Sequence, residues 1–321
     1  MAKYLVTGAA GFIGARFVES CNTRGISVIS VDEKQLFAQR LEHRGIAFGE
    51  VVDRDELFEW LALNAGNEIA TVVHMGACSR TTETDVEYLK RVNVEYSQKL
   101  WEFCTANRIP FVYASSAATY GEGALGYDDD ESSMPRLQPL NEYGRSKQIF
   151  DTWALEQERA GHSPPQWSGF KFFNVYGFGE RHKGSQASVI LHAYDQIQKT
   201  GRVKLFKSHR PGIADGEQKR DFIAVEDVIE ALHFAINKPI DRGIFNLGTG
   251  KAQTFLDLVN AVFEALGKSP QIDFIDTPVE IRDKYQYFTE ARMDRLRTEG
   301  YAKPFMGLRE GVKQYLVRIG C

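Results

Sequence analysis

At 321 residues, with 43% hydrophobic and 26% charged side chains, the chain is long enough to bury a core without covalent staples and has the make-up of an ordinary soluble enzyme. A formal net charge of −4 and the lack of a basic cluster argue against nucleic acid or an anionic membrane as the main partner. Cys21, Cys78, Cys104 and Cys321 form no C-x-x-C pair and have no histidine at metal-ligand spacing. Reduced thiols and no metal site are therefore expected. The first residues carry one lysine ahead of a glycine-rich turn rather than the apolar core of a secretory signal, and no later run reaches membrane-span length. A cytoplasmic location is the expectation.

Strand-like runs at Tyr4–Thr7, Ser27–Val31, Ala70–His74, Phe111–Ser115 and Gly169–Phe173 alternate with helical stretches. That alternation predicts an α/β fold, a parallel sheet covered by helices. The first helix should start near Gly11 and run to about Thr23, with Phe12, Ile13, Phe17 and Val18 inward and Gly25 just past its end. Helical periodicity returns over Val86–Asn107 and Glu142–Glu158. After Tyr176 regularity gives way. The stretches "GFGERHKGSQAS" and "KSHRPGIADGEQKRDF" are irregular, charged and glycine-containing, as loops around a ligand are. A second, smaller lobe is expected from there, interleaved with a return to the sheet near "IFNLGTG". Residues 1–175 with 221–248 would form a dinucleotide-binding domain, and 176–220 with 249–321 a substrate lobe.

"GAAGFIG" sets Gly8, Gly11 and Gly14 between the first strand and the first helix. Such a turn lets backbone approach a pyrophosphate, whose charge meets the amides and positive dipole end of the helix. Short glycine turns also arise for packing alone. Here Asp32 closes the second strand about twenty residues further on, where an acid accepts from the adenosine ribose hydroxyl, so the glycines point to a dinucleotide. Asp32 favours a free ribose hydroxyl, while Lys34, Arg40 and Arg54 offer charge for a 2′-phosphate; all of these are equally compatible with solvated surface.

"NEYGRSK" places Tyr143 and Lys147 four residues apart, on one face of a helix. A phenol titrating near 10 is a poor base at neutral pH, but a neighbouring ammonium stabilises the phenolate. Ahead of it "YASSAATYG" ends a strand in hydroxyls. Ser115, Ser116 or Thr119 could hold a substrate oxygen while Tyr143 moves its proton, or could simply cap the turn.

The glycine turn, "SSAATYG" and Tyr-x-x-x-Lys together resemble the extended short-chain dehydrogenase/reductase superfamily. More narrowly, "HMGACSRTTETD", "YASSAATYG", "FFNVYG", "HKGSQAS", "KRDF", "IFNLGTG" and "YQYFTEA" occur in the order found in its ADP-L-glycero-D-manno-heptose 6-epimerase family, over nearly the whole chain. The resemblance implies a modified Rossmann fold, a doubly wound parallel sheet with a smaller, interleaved α/β substrate lobe. It implies an isomerase that inverts carbon 6 of an ADP-heptose by transient oxidation and re-reduction, with NADP preferred and NAD possible. The product would serve the lipopolysaccharide inner core, and the protein would be a homo-oligomer.

Residue by residue, the resemblance makes Tyr143 and Lys183 the two acid/base groups, attended by Lys147 and Ser116. An amine acting as base must shed its proton, and Arg181, His182 and an oxidised nicotinamide are the neighbours expected to help Lys183 do so. Phe12, Ile13, Glu33, Arg54, Met75, Gly76, Ala77, Cys78, Ser79, Asn93 and Val175 match cofactor-contacting positions, Cys78 as a small wall residue. Asn174, Ser185, His192, Phe206, Arg220 and Tyr285 match contacts to the sugar nucleotide. Arg220 suits a diphosphate through its planar fork, or alternatively pairs with Asp221. The chain departs from the family at Glu33, at Met75 and in a longer 208–218 segment. The competing readings are a UDP-hexose 4-epimerase or 4,6-dehydratase, the latter disfavoured by Ala117 and Ala118 where an acidic pair is usual, and a nonenzymatic dinucleotide-binding sensor.

Overall fold

Near-continuous apolar runs become the central strands of a parallel sheet, because both faces of such strands are covered. The computed structural model describes residues 2–64, 68–238, 240–282 and 285–320; Cys321 lies outside them. β1 (Lys3–Thr7), β2 (Val28–Asp32), β3 (Glu50–Asp53), β4 (Ile69–His74), β5 (Phe111–Ser116) and β6 (Trp167–Phe172) follow in turn. After β7 (Asn174–Tyr176), β8 (Val203–Phe206) and β9 (Lys219–Ala224) comes β10 (Gly243–Leu247), then β11 (Ala252–Thr254) and β12 (Ile272–Ile275). A seven-stranded sheet runs in the order β10-β6-β5-β4-β1-β2-β3, every neighbouring pair parallel. It is the expected Rossmann-like sheet, and β10 is the expected return of the chain at "IFNLGTG". Strand order reverses between β1 and β4, so the crevice for a ligand opens at their carboxyl ends.

The longer helices are α1 (Phe12–Thr23), α2 (Leu57–Asn64), α3 (Tyr96–Ala106), α4 (Glu142–Arg159), α5 (Val189–Thr200), α6 (Val225–Asn237), α7 (Phe255–Ala265) and α8 (Leu308–Arg318). One hydrophobic core joins the large sheet to the helices around it. A second core, around Ile190, Leu205, Phe222, Val262, Phe263 and Leu316, lies among α5, α7, α8 and two small sheets, β11-β9-β7 and β12-β8.

Three elements differ from the sequence reading. β3 forms although only Val51 and Val52 in it are apolar, because an edge strand needs one covered face. The periodic stretch from Val86 is not one α-helix: a π-turn over Lys90–Glu95 separates Val86–Leu89 from α3. "KRDF" was expected to be irregular, yet it opens β9, which pairs with β7 and β11.

Two buried polar systems hold the sheet to its helices. His74, at the end of β4, lies 2.6 Å from Thr7 Oγ1 and 2.8 Å from Ser97 Oγ. Ser97 spends its own hydrogen on the Asn93 carbonyl at 2.8 Å, so it accepts from His74 Nε2–H and leaves Nδ1 to accept from Thr7. Burial, then the Lys147 charge, lowers the imidazole to about 3. The second system is centred on Asp151, in α4. It accepts from Tyr113 at 3.0 Å, Ser115 at 2.6 Å and Lys171 Nζ at 2.7 Å. Lys171 is 0% and Asp151 1% exposed, and Lys171 also donates to Thr119 at 2.8 Å.

Lys171→Met should lower stability by about 3–5 kcal/mol, because it strands a buried carboxylate, and Asp151→Asn in the same chain should recover part of that loss. Urea unfolding midpoints measure both. In the folded protein His74 stays neutral, whereas the unfolded chain takes up its proton near pH 6.5. Wild-type stability should therefore fall between pH 6.5 and about 3 more steeply than that of His74→Gln. Parallel stability curves for the two proteins over that range would show that His74 is not the group responsible.

Candidate active site

β1 delivers the chain into the glycine turn at the reversal point. Gly8 has φ +65, and a Cβ on it would lie 2.6 Å from Gly76 N; one on Gly14 would lie 2.1 Å from Gly8 O. Side chains are excluded there by backbone packing, and the same packing leaves the start of α1 open. Gly11, its N-cap, makes no side-chain capping bond, and the first turn holds no acid. Those amides and the dipole favour an anion. Phe12 and Ile13 open that turn.

Asp32, at the end of β2, accepts from Ala10 N at 3.0 Å and Glu33 N at 2.9 Å, clamping the turn to the strand. Burial, the largest influence, raises its carboxyl; the backbone donors, Arg40 and Arg54 oppose this. Arg40 donates to Ala10 O. Arg54 pairs with Glu33 at 2.8 Å and is 41% exposed. Across the crevice the loop Met75–Ser79 leaves β4. Gly76 N donates to Thr7 Oγ1 at 3.2 Å, and Asn93, inside the π-turn, brackets Cys78: its Oδ1 accepts from Cys78 N at 2.8 Å while its Nδ2 donates to Cys78 O at 3.0 Å. A residue brought inward by an extra helical residue is a frequent device at functional sites. Ala77 and Ser79 ride on this same loop.

β5 ends at Ser116, and α4 begins at Glu142 behind an Asn141 cap that accepts from Gly144 N at 2.8 Å. Tyr143 therefore stands on the first turn of α4, with the Ser116 hydroxyl as its hydrogen-bond partner. Burial raises the phenol and the bond to Ser116 opposes it. Lys147 Nζ donates to Ala114 O at 2.9 Å, and burial lowers it to about 8, against the pull of Asp151. Of the three hydroxyls open in the sequence, Ser115 is taken by Asp151 and Thr119 by Lys171 and the Ser116 carbonyl. Ser116 caps the turn, as the alternative had it, accepting from Ala118 N at 3.1 Å, and it alone of the three also stands beside the phenol.

β7 carries Asn174, exposed, and Val175, packed against the main core. The strap that follows bears Lys183, whose Nζ stands 5.2 Å from the centre of the Phe12 ring. Its charged neighbourhood is not the cationic one expected. Arg181 turns to Asp195 at 2.9 Å, whereas Glu180 lies 3.7 Å from the amine. His182, expected as a cationic neighbour, is exposed at the surface, and its imidazole is held below its ordinary range, by partial desolvation first and by Arg40 next. Ser185 is exposed, and its carbonyl lies 3.3 Å from His192 Nε2.

Arg220, Phe206 and Tyr285 come together. The Arg220 guanidinium stands 5.5 Å from the Tyr285 ring centre and 5.7 Å from that of Phe255, and Phe206 meets Tyr285 at 6.4 Å. Arg220 donates to Lys219 O at 2.9 Å and to Gln286 O, is 7% exposed, and has no carboxylate partner among the described residues. Asp221 points to the other side of β9, where Thr249 N, Gly250 N and Ala291 N bond to it, so the alternative Arg220–Asp221 pair does not form. The 208–218 segment folds back through Ser208 N to Asp215 at 2.7 Å and His209 N to Tyr287 at 3.1 Å. Beside it a cavity of about 370 Å³ is lined by Tyr127, Arg210, Tyr285, Tyr287 and Phe288 among others.

Sequence reasoning missed His74, Asp151, Lys171 and Glu180. The polar residues inside apolar strand runs, His74 and Lys171, were the available signal. Among the described residues no group of three or more metal-ligating side chains forms, and no helix is long and apolar enough to cross a membrane.

Comparison with known proteins agrees with this geometry. Residues 4–248 match the NAD dependent epimerase/dehydratase family. A Fusobacterium nucleatum ADP-L-glycero-D-manno-heptose-6-epimerase is 46% identical, over 97% of this chain and 96% of the relative. The crystal structure of the Helicobacter pylori ADP-L-glycero-D-manno-heptose-6-epimerase superposes with a TM-score of 0.80 at 26% identity, covering 99% of this chain and 96% of that one. A Thermus thermophilus UDP-glucose 4-epimerase in complex with NAD gives 0.77 at 26%, covering 98% of each chain. With a Rossmann-like sheet, a glycine turn at its reversal point and near full-length identity of this order, the chain belongs to the NAD dependent epimerase/dehydratase family and, within it, to the ADP-L-glycero-D-manno-heptose-6-epimerases.

Proposed function

We propose that the protein inverts carbon 6 of ADP-D-glycero-D-manno-heptose, with Tyr143 and Lys183 as its two acid/base groups. The observation that carries this reading is their separate mounting: a phenol on the first turn of α4 and an amine on a strap over the first residue of α1. A carbinol carbon without an acidic hydrogen cannot be inverted by proton transfer alone. A bound nicotinamide supplies the reversible removal and return of hydride that no side chain offers.

The residues present fit that cofactor. Gly8 and Gly14 leave no room for a Cβ, the start of α1 is uncapped, and Asp32, at the end of β2, would meet the adenosine ribose. Gly11, Phe12, Ile13 and Met75–Ser79 would wall it, with Asn93 holding the last of these in place and Val175 and Lys147 at the reacting end. NADP is the proposed form and NAD the alternative. Arg54 would meet the 2′-phosphate once released from Glu33, and Arg40 adds charge nearby.

In the chemistry Tyr143 moves the proton of the sugar hydroxyl while Ser116 steadies the oxygen. Lys147, at about 8, is mostly protonated at pH 7 and so favours the phenolate. Return to the opposite face requires the sugar carbon to turn over, so its oxygen meets a different group in each half, and Lys183 is the second. Arg220 is the candidate for the diphosphate, since this buried guanidinium is bonded to carbonyls and has no carboxylate partner among the described residues. Phe206 and Tyr285 would flank the nucleotide, with Asn174, Ser185 and His192 nearer the sugar. Residues 1–175 with 221–248 are the proposed cofactor domain and 176–220 with 249–321 the substrate lobe, although β7 and β9 pair in the smaller sheet and Ala291, Met293, Leu296 and Tyr301 pack into the main core. A homo-oligomer in the cytoplasm supplying the lipopolysaccharide core completes the proposal. The 117–120 turn offers no acid, which disfavours elimination by a dehydratase.

Incubation with ADP-D-glycero-D-manno-heptose, followed at carbon 6 by proton NMR, should show inversion. Tyr143→Phe and Lys183→Met should each slow it by at least about 100-fold with bound nucleotide retained; near-normal turnover of the lysine variant would remove the two-base mechanism. Glu33→Asn should raise the preference for NADP over NAD about tenfold, or ~1.4 kcal/mol, in competitive binding. An unchanged ratio would exclude Arg54 as the reader of the phosphate.

A further inference from the structure

The strap that carries Lys183 contains a carboxylate that the reading above does not use. Glu180 is 0% exposed, and a charge is buried that deeply only when it is paired and hydrogen-bonded. Ser188 supplies two donors, its N at 2.7 Å to Oε2 and its hydroxyl at 2.5 Å to Oε1. The Tyr315 hydroxyl, from α8, is a third, and burial together with this carboxylate holds that phenol well above its ordinary range. The fourth neighbour is Lys183 Nζ, at 3.7 Å.

We propose that Glu180 is the positioning residue of Lys183, holding the amine over the start of α1 and releasing it to the sugar oxygen. The inference rests on the reading of Lys183 as an acid/base group. A free lysine has four side-chain torsions and loses up to about 2 kcal/mol of rotamer freedom when held. Two contacts limit it here, the carboxylate on one side and the Phe12 ring at 5.2 Å on the other. Gly184, with φ +57, turns the backbone immediately after the lysine, so the amine projects from a short fold rather than an extended loop. Arg181 does not compete for Glu180, being held by Asp195 at 2.9 Å. At 3.7 Å the pair is electrostatic without the short geometry of a locked hydrogen bond, which leaves the amine free to swing. The carboxylate itself is immobile, because Ser188 also caps α5 and Tyr315 belongs to α8.

A plain loop staple and a positioning charge rank the same substitutions in opposite order. Glu180→Gln keeps shape and acceptor but loses charge; Glu180→Asp keeps charge but shortens. With purified enzyme carrying its nucleotide, the positioning role predicts kcat down about 10- to 100-fold in Glu180→Gln, KM within about threefold, and Glu180→Asp faster than Glu180→Gln. Equal or reversed ranking, or a fall expressed only in KM or bound nucleotide, overturns it. If Glu180→Gln does not fold, Tyr315→Phe decides, since it retains the carboxylate and removes one donor. A kcat about three- to tenfold lower at constant KM supports the proposal, and an unchanged kcat overturns it. Lys183→Met run beside them separates the two ideas: normal turnover there defeats the two-base reading itself, whereas a slow Lys183→Met beside a normal Glu180→Gln defeats only the role of Glu180.

Discussion

The close approach of two backbones, Gly8 at the end of β1 and Gly76 beyond the end of β4, is the constraint on which the site depends. A Cβ at position 8 would meet Gly76 N at 2.6 Å, so the strand ends can converge only without side chains. Convergence brings Thr7 within reach of both His74 and Gly76, and from there hydrogen bonds run through Ser97 and Asn93 to Cys78. One run of polar contacts thus sets the height of α1, the course of the Met75–Ser79 loop and the width of the crevice. Its neutrality matters as much as its geometry. A protonated His74 would be a buried cation beside Lys147, which is why burial and that charge together keep the ring neutral.

Beneath Tyr143 the charges are arranged in depth. Lys147 faces the phenol's side of α4, Asp151 lies one turn further along the same helix, and Lys171 reaches Asp151 from β6. Two cations around one carboxylate leave this buried cluster with one positive charge in excess. Neutral donors, Ser115 and Tyr113, satisfy the rest of Asp151. The arrangement supports an ammonium at position 147 that burial alone would push further toward neutrality.

How much of this was legible follows from which forces act locally. The sheet was readable because buried parallel strands must be apolar on both faces, and the start of α1 because glycine leaves an unmistakable gap. β3 was not readable, since an edge strand with one covered face carries only Val51 and Val52 as signal. The π-turn at Lys90–Glu95 was hidden because Asn93 fits a helical stretch as well as a bulge; what holds it is Cys78, fifteen residues earlier. "KRDF" reads as a charged loop, yet its alternation sends Arg220 to one face of β9 and Asp221 to the other, and only pairing with β7 and β11 reveals that. Ser115, Ser116 and Thr119 were equivalent in sequence and were separated by Asp151 and Lys171, residues far along the chain.

The two proposed acid/base groups meet opposite mechanical demands. Tyr143 is rigid by construction, sitting one residue inside a capped eighteen-residue helix packed on the large sheet, so its ring needs little beyond Ser116 to aim it. An amine at the end of four methylenes on a one-turn strap has no such support from its own element. Loops place groups less accurately than helices do, and a loop with the proposed task of admitting and releasing a sugar cannot be stiffened by packing its outer face. The remaining option is to stiffen from behind, from the second core. Ser188 and Tyr315 both come from elements of that core, α5 and α8, and both converge on the one buried carboxylate next to the amine. On the proposed roles, the elements of the second core are the rigid body against which the strap is referenced, as the large sheet is for the phenol.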